Sequence, residues 1–332
     1  MRAMVLRRPA PAEESPLAAR DLPLAPPGRA ALRVRVRVCA VCHTDLHVVE
    51  GDLPLPVLPI VPGHQIVGTV DAVGDGVTRF RIGDRVGIPW LHGTDGTCPY
   101  CARGTENLCD AARFTGYHVH GGYAEHATIG EAFAYAIPER FADEHAAPLL
   151  CAGVIGWRAL RLSEARPGDR LGLYGFGASA HIVLQIARHL GCEVYVFTRG
   201  AQHRALATRL GAAWTGTADD RPPNPLDAAI VFAPAGGLVP TALGATRKGA
   251  TVALAGITMT PIPAMDYALL RHERTLRSVA NSTRDDVREC LRIAAEVPVE
   301  TAVQAYDLVD ANRALQDLKA SRIDGAGILR VA

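Results

Sequence analysis

The sequence predicts an α/β protein in two parts, a mostly β domain of short strands followed by a doubly wound parallel sheet with helices on its faces. Three observations carry this. Ala31–Val38 (ALRVRVRV) trades apolar and Arg residues with period two, which is a half-exposed strand. Near Cys151 the texture changes to strand and helix in alternation. Within that second part, Arg170–Tyr174, the turn GFGASA, a helix to Leu190 and a strand at Glu193–Phe197 form one continuous strand–turn–helix–strand unit. A chain of 332 residues also exceeds what one hydrophobic core usually fills, so two domains are expected.

Taken in order, Met1–Pro16 reads as a short strand and a polar, Pro-containing turn without the apolar core of a signal peptide, so the expected location is cytoplasmic. Turn signals at Val73–Gly76 and Ile82–Arg85 break the first part into short strands. In the helix after the glycine turn, Ile182, Val183, Ile186, Ala187 and Leu190 share one face. Further strands are expected at Ala228–Phe232 and Thr251–Leu254, and a helix at Arg284–Glu296 closes the second part. Residues 299–332 return to strand and helix segments that rejoin the first domain.

Composition narrows the function. Lys plus Arg (35) balance Asp plus Glu (34), so no bulk field draws the chain to nucleic acid or an anionic membrane. No run of about eighteen apolar residues marks a membrane span. Eight cysteines in a long chain without an export signal point to metal sites or reactive thiols rather than disulfides.

Three clusters carry chemistry. Gly175, Gly177 and Ala180 form G-x-G-x-x-A, in which the first glycine makes the turn, the second admits a pyrophosphate, and the small third residue lets helix pack on strand. Ala178 opens the helix whose free N–H groups would meet the phosphates. Cys42, His64 and Cys151 are a suitable zinc set that leaves a fourth position open, yet residue types alone also allow two buried cysteines and an unrelated histidine, and spacing this wide does not pair them. Cys98 and Cys101, with Cys109 close by and Asp95 three residues ahead, read as a four-ligand metal lobe; a redox-active C-x-x-C is the competing reading.

In this order, the segments CHTDLH (Cys42–His47), GH (Gly63, His64), the three-cysteine lobe, GGYAEH (Gly121–His126), LLCAG around Cys151 and GFGASA resemble the zinc-containing medium-chain alcohol dehydrogenases along nearly the whole chain. The resemblance implies a GroES-like catalytic domain over residues 1–152 and 291–332, with a structural-zinc lobe at about 92–112, and a Rossmann domain over 153–290. It implies that Cys42, His64 and Cys151 hold the catalytic zinc, the two-cysteine, one-histidine set for which alcohol dehydrogenase is the standing example. By the same resemblance Asp45 orients the ligand histidine, Thr44 and His47 relay the alcohol proton, His43 contacts cofactor phosphate, and Trp90 lines the substrate pocket. Asp95, Cys98, Cys101 and Cys109 would hold the structural zinc. Two departures stand out: Gln65 where many members have Glu, and Asp95 where most place the first of four cysteines. The implied reaction is hydride transfer between a primary alcohol or aldehyde and NAD(P), and the implied assembly is a homo-oligomer, a tetramer or a dimer. The rivals are a zinc-free quinone or enoyl reductase and a non-catalytic dinucleotide-binding protein.

The end of the second dinucleotide-domain strand predicts the cofactor. An NAD enzyme usually places an acid there to bind the ribose hydroxyls; here Thr198 stands in its place, followed by Arg199 and, further on, Arg204. Removal of the negative charge and nearby guanidinium groups favour a 2′-phosphate, so NADP is expected ahead of NAD. The competing reading has Arg199 in solvent and either cofactor accepted.

Overall fold

Strand Ala31–Val41 is the hub of the first unit. In the computed structural model, which describes residues 1–297, 299–323 and 325–331, Leu32, Val34, Val36 and Val38 are buried while Arg35 and Arg37 are exposed, as period-two alternation requires. The strand pairs antiparallel with Gln65–Val73, His126–Gly130 and Ala326–Arg330. Along its main path the sheet runs Val303–Asp307, Ala326–Arg330, Ala31–Val41, Gln65–Val73, Arg85–Ile88, Tyr135–Ala136. The C-terminal strands thus complete a sheet begun near the N-terminus. Burial of branched side chains such as Val36, Ile66, Val86 and Ile129 supplies its core, each contributing roughly 1.5–3 kcal/mol.

The second unit carries a six-stranded sheet, every pair of it parallel, in the order Trp214–Gly216, Glu193–Phe197, Arg170–Tyr174, Leu226–Val231, Thr246–Leu254, Thr275–Ser278. In chain order that is 3-2-1-4-5-6, the doubly wound Rossmann arrangement, whose order reverses between Arg170–Tyr174 and Leu226–Val231. The central strands Arg170–Tyr174, Glu193–Phe197 and Leu226–Val231 are buried along most of their length, as strands covered on both faces are. Helix Ala178–His189 buries Ile182, Val183, Ile186 and Ala187 as the periodicity required.

The chain divides by its contacts into Met1–Cys151, Ser282–Ala295 and Thr301–Ala332 as one unit, and Ala152–Asn281 and Glu296–Glu300 as the other. Helix Arg284–Glu296, expected to close the second part, therefore groups with the first as far as Ala295. Its N-terminus is tied there by Glu106, whose Oε1 accepts from the Arg284 backbone N–H at 2.9 Å and from its guanidinium at 3.0 Å. This contact joins residues far apart in sequence, which periodicity does not reveal. Among the described residues no helix is long and apolar enough to cross a membrane.

Candidate active site

Strand register builds the first site. Ala40 pairs with Gln65 in an antiparallel ladder, so the residues just beyond it, Cys42 on one side and His64 on the other, meet at the end of the strands. Gly63 adopts φ +99°, and a side chain there would strike the Tyr123 ring. The GGYAEH segment holds this turn: Gly122 N–H donates to Gly63 O at 2.9 Å and Tyr123 N–H to Pro62 O at 3.0 Å.

Helix His43–Glu50 begins at the same point. Cys42 Sγ accepts from Thr44 N–H at 3.4 Å and Asp45 accepts from Cys42 N–H at 3.0 Å, a capping box with cysteine as its first member. The other Asp45 oxygen accepts from Gly63 N–H at 3.2 Å and lies 2.9 Å from His64 Nδ1. With Nδ1 paired to the carboxylate, Nε2 faces Cys42 Sγ at 3.3 Å. The ligand atoms of Cys42, His64 and Cys151 all lie within 4.8 Å of one another.

The electrostatics suit a cation. Burial disfavours the His64 imidazolium, but the Asp45 carboxylate and the Cys42 sulfur outweigh it and push His64 up to about 10. Positive charge at Nε2 is what this environment stabilises, whether proton or metal. A hydrogen bond from the Cys151 thiol outweighs burial and brings the Cys42 thiol well below its ordinary value, with His64 and Thr44 adding to it. Burial raises the Asp45 carboxyl, against the pull of His64. Two sulfurs and an imidazole with a carboxylate behind it are a donor set chemically matched to zinc.

The remaining predicted residues lie nearby on the same unit. Thr44 is buried, His43 is exposed, and His47 Nδ1 is 2.7 Å from Asp52 Oδ2, a partner that no sequence motif singles out. Trp90 meets the His64 ring edge-on, with centroids 4.9 Å apart. Phe114 stacks on Trp90 at 5.1 Å and Tyr117 leans on it at 5.8 Å; both fall in the stretch just before GGYAEH, where the aromatic residues were the available signal. Gln65 is buried, and its amide nitrogen has no hydrogen-bond partner among the described residues.

The second cluster gathers Asp95, Cys98, Cys101 and Cys109, again with ligand atoms within 4.8 Å of one another. Asp95 Oδ1 accepts from Thr97 N–H at 2.8 Å and Cys98 N–H at 2.9 Å. The Cys98 amide, with that of Thr97, holds this carboxyl well below the usual carboxylate range. A hard oxygen is thus aimed at three sulfurs, as a closed tetrahedral site needs.

The second unit has its own candidate site at the glycine turn. Gly175 has φ +90° and donates its N–H to Phe197 O at 2.8 Å. Gly177 precedes helix Ala178–His189 with open space where a side chain would stand, while Ala180 is fully buried against the fold. That cradle fits a pyrophosphate. Thr198 is buried, Arg199 is exposed, and Arg204 turns back so that its Nη1 donates to Thr198 O at 2.8 Å and Arg199 O at 2.7 Å. Arg204 was expected to supply charge to a phosphate; part of its fork is instead engaged with the backbone.

A 3-2-1-4-5-6 sheet with a glycine turn at its centre, in one chain with a sulfur–imidazole donor set, is the plan of a dinucleotide-dependent dehydrogenase. Comparison with known proteins agrees. Residues 28–139 match the alcohol dehydrogenase GroES-like domain and residues 180–296 the zinc-binding dehydrogenase model. A probable alcohol dehydrogenase AdhA of Mycobacterium tuberculosis is 49% identical over 337 residues, covering 100% of this chain and 97% of its own. The cinnamyl alcohol dehydrogenase of Sorghum bicolor superposes with TM-score 0.91 at 27% identity, covering 99% of this chain and 97% of its own. A solved NAD-dependent alcohol dehydrogenase gives TM-score 0.90 at 28% identity over 100% of both chains. The chain belongs to the zinc-type medium-chain alcohol dehydrogenase family and is an oxidoreductase.

Proposed function

We propose that this protein exchanges hydride between a primary alcohol or aldehyde and NAD(P), with zinc held by Cys42, His64 and Cys151. The observation that carries this reading is the convergence of those three donors, with Asp45 behind His64. Bound there, zinc would supply the Lewis acidity that polarises a substrate oxygen, and a nicotinamide would supply or take up the hydride.

The chain's own residues do the rest. Asp45 fixes the His64 ring so that Nε2 points at the donor cluster. Thr44 and His47, on successive turns of helix His43–Glu50, carry the alcohol proton outward, and Asp52 pairs with the His47 Nδ1 to fix the tautomer in which Nε2 accepts. Trp90, backed by Phe114, gives the substrate an apolar wall. Gly175, Gly177, Ala178 and Ala180 receive the pyrophosphate and His43 a phosphate oxygen. Thr198 and Arg199 favour NADP over NAD. Asp95, Cys98, Cys101 and Cys109 hold a second, structural zinc. The working protein is a cytoplasmic homo-oligomer.

Metal analysis of the purified protein, with absorbance at the reduced nicotinamide band for a panel of alcohols and aldehydes, tests this reading. Zinc-dependent turnover of primary alcohols or aldehydes supports it. Metal-independent reduction of quinones or enones in place of alcohol turnover contradicts it, as does the absence of any turnover by the zinc-loaded protein.

A further inference from the structure

The turn that follows strand Glu193–Phe197 is fastened from two sides. Its first half is held by backbone: Phe197 O accepts from Gly175 N–H, and Thr198 N–H donates to Gly216 O, each at 2.8 Å. Its second half is held by a side chain. Arg204, within helix Ala201–Arg209, donates from one nitrogen, Nη1, to the carbonyls of both Thr198 and Arg199.

We propose that Arg204 is a positioning residue for dinucleotide binding, clamping these two carbonyls so that Thr198 and Arg199 meet the adenosine ribose in a fixed direction. A guanidinium nitrogen with two hydrogens in a plane can serve two carbonyls at once, and its full charge strengthens both bonds. Arg199 is exposed on a long, rotamer-rich stem, so the path of its side chain depends on how its backbone is held. Gly200 follows directly, a residue that does nothing to stiffen the chain. The clamp therefore acts on every ligand that uses this turn, with or without a 2′-phosphate. Arg199, by contrast, acts only on the 2′-phosphate. The inference rests on the reading of this turn as the ribose site, and not on the preference for NADP.

The test is calorimetric titration with adenosine 5′-monophosphate and with adenosine 2′,5′-bisphosphate, alongside amide hydrogen exchange. Arg204→Gln is expected to weaken both ligands by a similar factor of about ten, because a turn no longer clamped must be ordered at the moment of binding. Exchange at residues 198–200 rises in that variant and stays unchanged elsewhere in the fold. Arg199→Ala weakens only the bisphosphate and leaves exchange as it was. Unchanged affinity of Arg204→Gln for the monophosphate overturns the proposal. Equal affinity of the parent protein for the two ligands would remove the NADP preference, while a loss of both in Arg204→Gln would still support the clamp.

Discussion

Asp45 and His64 are joined by a 2.9 Å contact between a carboxylate oxygen and Nδ1, with both side chains buried. The other oxygen of the same carboxylate caps the backbone of Cys42. One acid therefore sets the orientation of two donors that come from different elements. Asp45→Asn keeps the shape and removes the charge, so zinc affinity at this site should fall by roughly 10–100-fold. Competition with a zinc chelator measures it, and an affinity equal to the parent's would show that the carboxylate does not support the ligand.

The second donor cluster predicts two zinc ions per chain. A closed site contributes folding energy directly, so Cys98→Ser should lose one zinc and a stabilisation on the order of several kcal/mol. Elemental analysis and thermal unfolding check the two halves together. One zinc per chain in the parent protein, or an unchanged melting transition in the variant, would remove this cluster as a metal site.

Glu106 gives a pH dependence. Burial acts to raise its carboxyl, but the Arg284 backbone N–H and guanidinium outweigh burial and hold it below the ordinary value of 4.5. A folded value below the unfolded one means stability that is present above 4.5 and lost as pH falls through the folded value. Glu106→Gln should therefore cost about 1–3 kcal/mol near neutral pH, with the difference from the parent shrinking below 4.5. Denaturation at several pH values reads this, and a difference that grows on acidification would contradict it.

Arg199→Ala should raise the KM for NADP by an order of magnitude or more while changing that for NAD little, because a charge-assisted contact to the 2′-phosphate is lost. Steady-state kinetics with both cofactors measures it. Catalytic efficiency of the parent on NAD equal to or above that on NADP would end the preference for NADP assigned to Thr198 and Arg199.

Much of this was legible in the sequence. Period-two alternation marked Ala31–Val38, and the turn GFGASA between strand and helix marked the dinucleotide unit, because each is a local pattern with a local cause. The donor residues were legible as types. Pairing Cys42 with His64 and Cys151 came from the resemblance and not from residue types or spacing, since their meeting depends on the ladder register of Ala40 against Gln65 and on a glycine turn packed against Tyr123 and Cys39. Asp52 beside His47, Glu106 beneath Arg284, and the return of Arg204 onto its own strand end are choices of side-chain direction and long-range packing. No spacing rule encodes them.

If chemistry depends on a metal held by Cys42, His64 and Cys151, as proposed, turnover of Cys42→Ser measured beside its zinc content shows it most directly. This variant is expected to lose the catalytic zinc and nearly all alcohol and aldehyde turnover, while still binding the dinucleotide. Turnover near the parent's level in a Cys42→Ser preparation free of metal would contradict it.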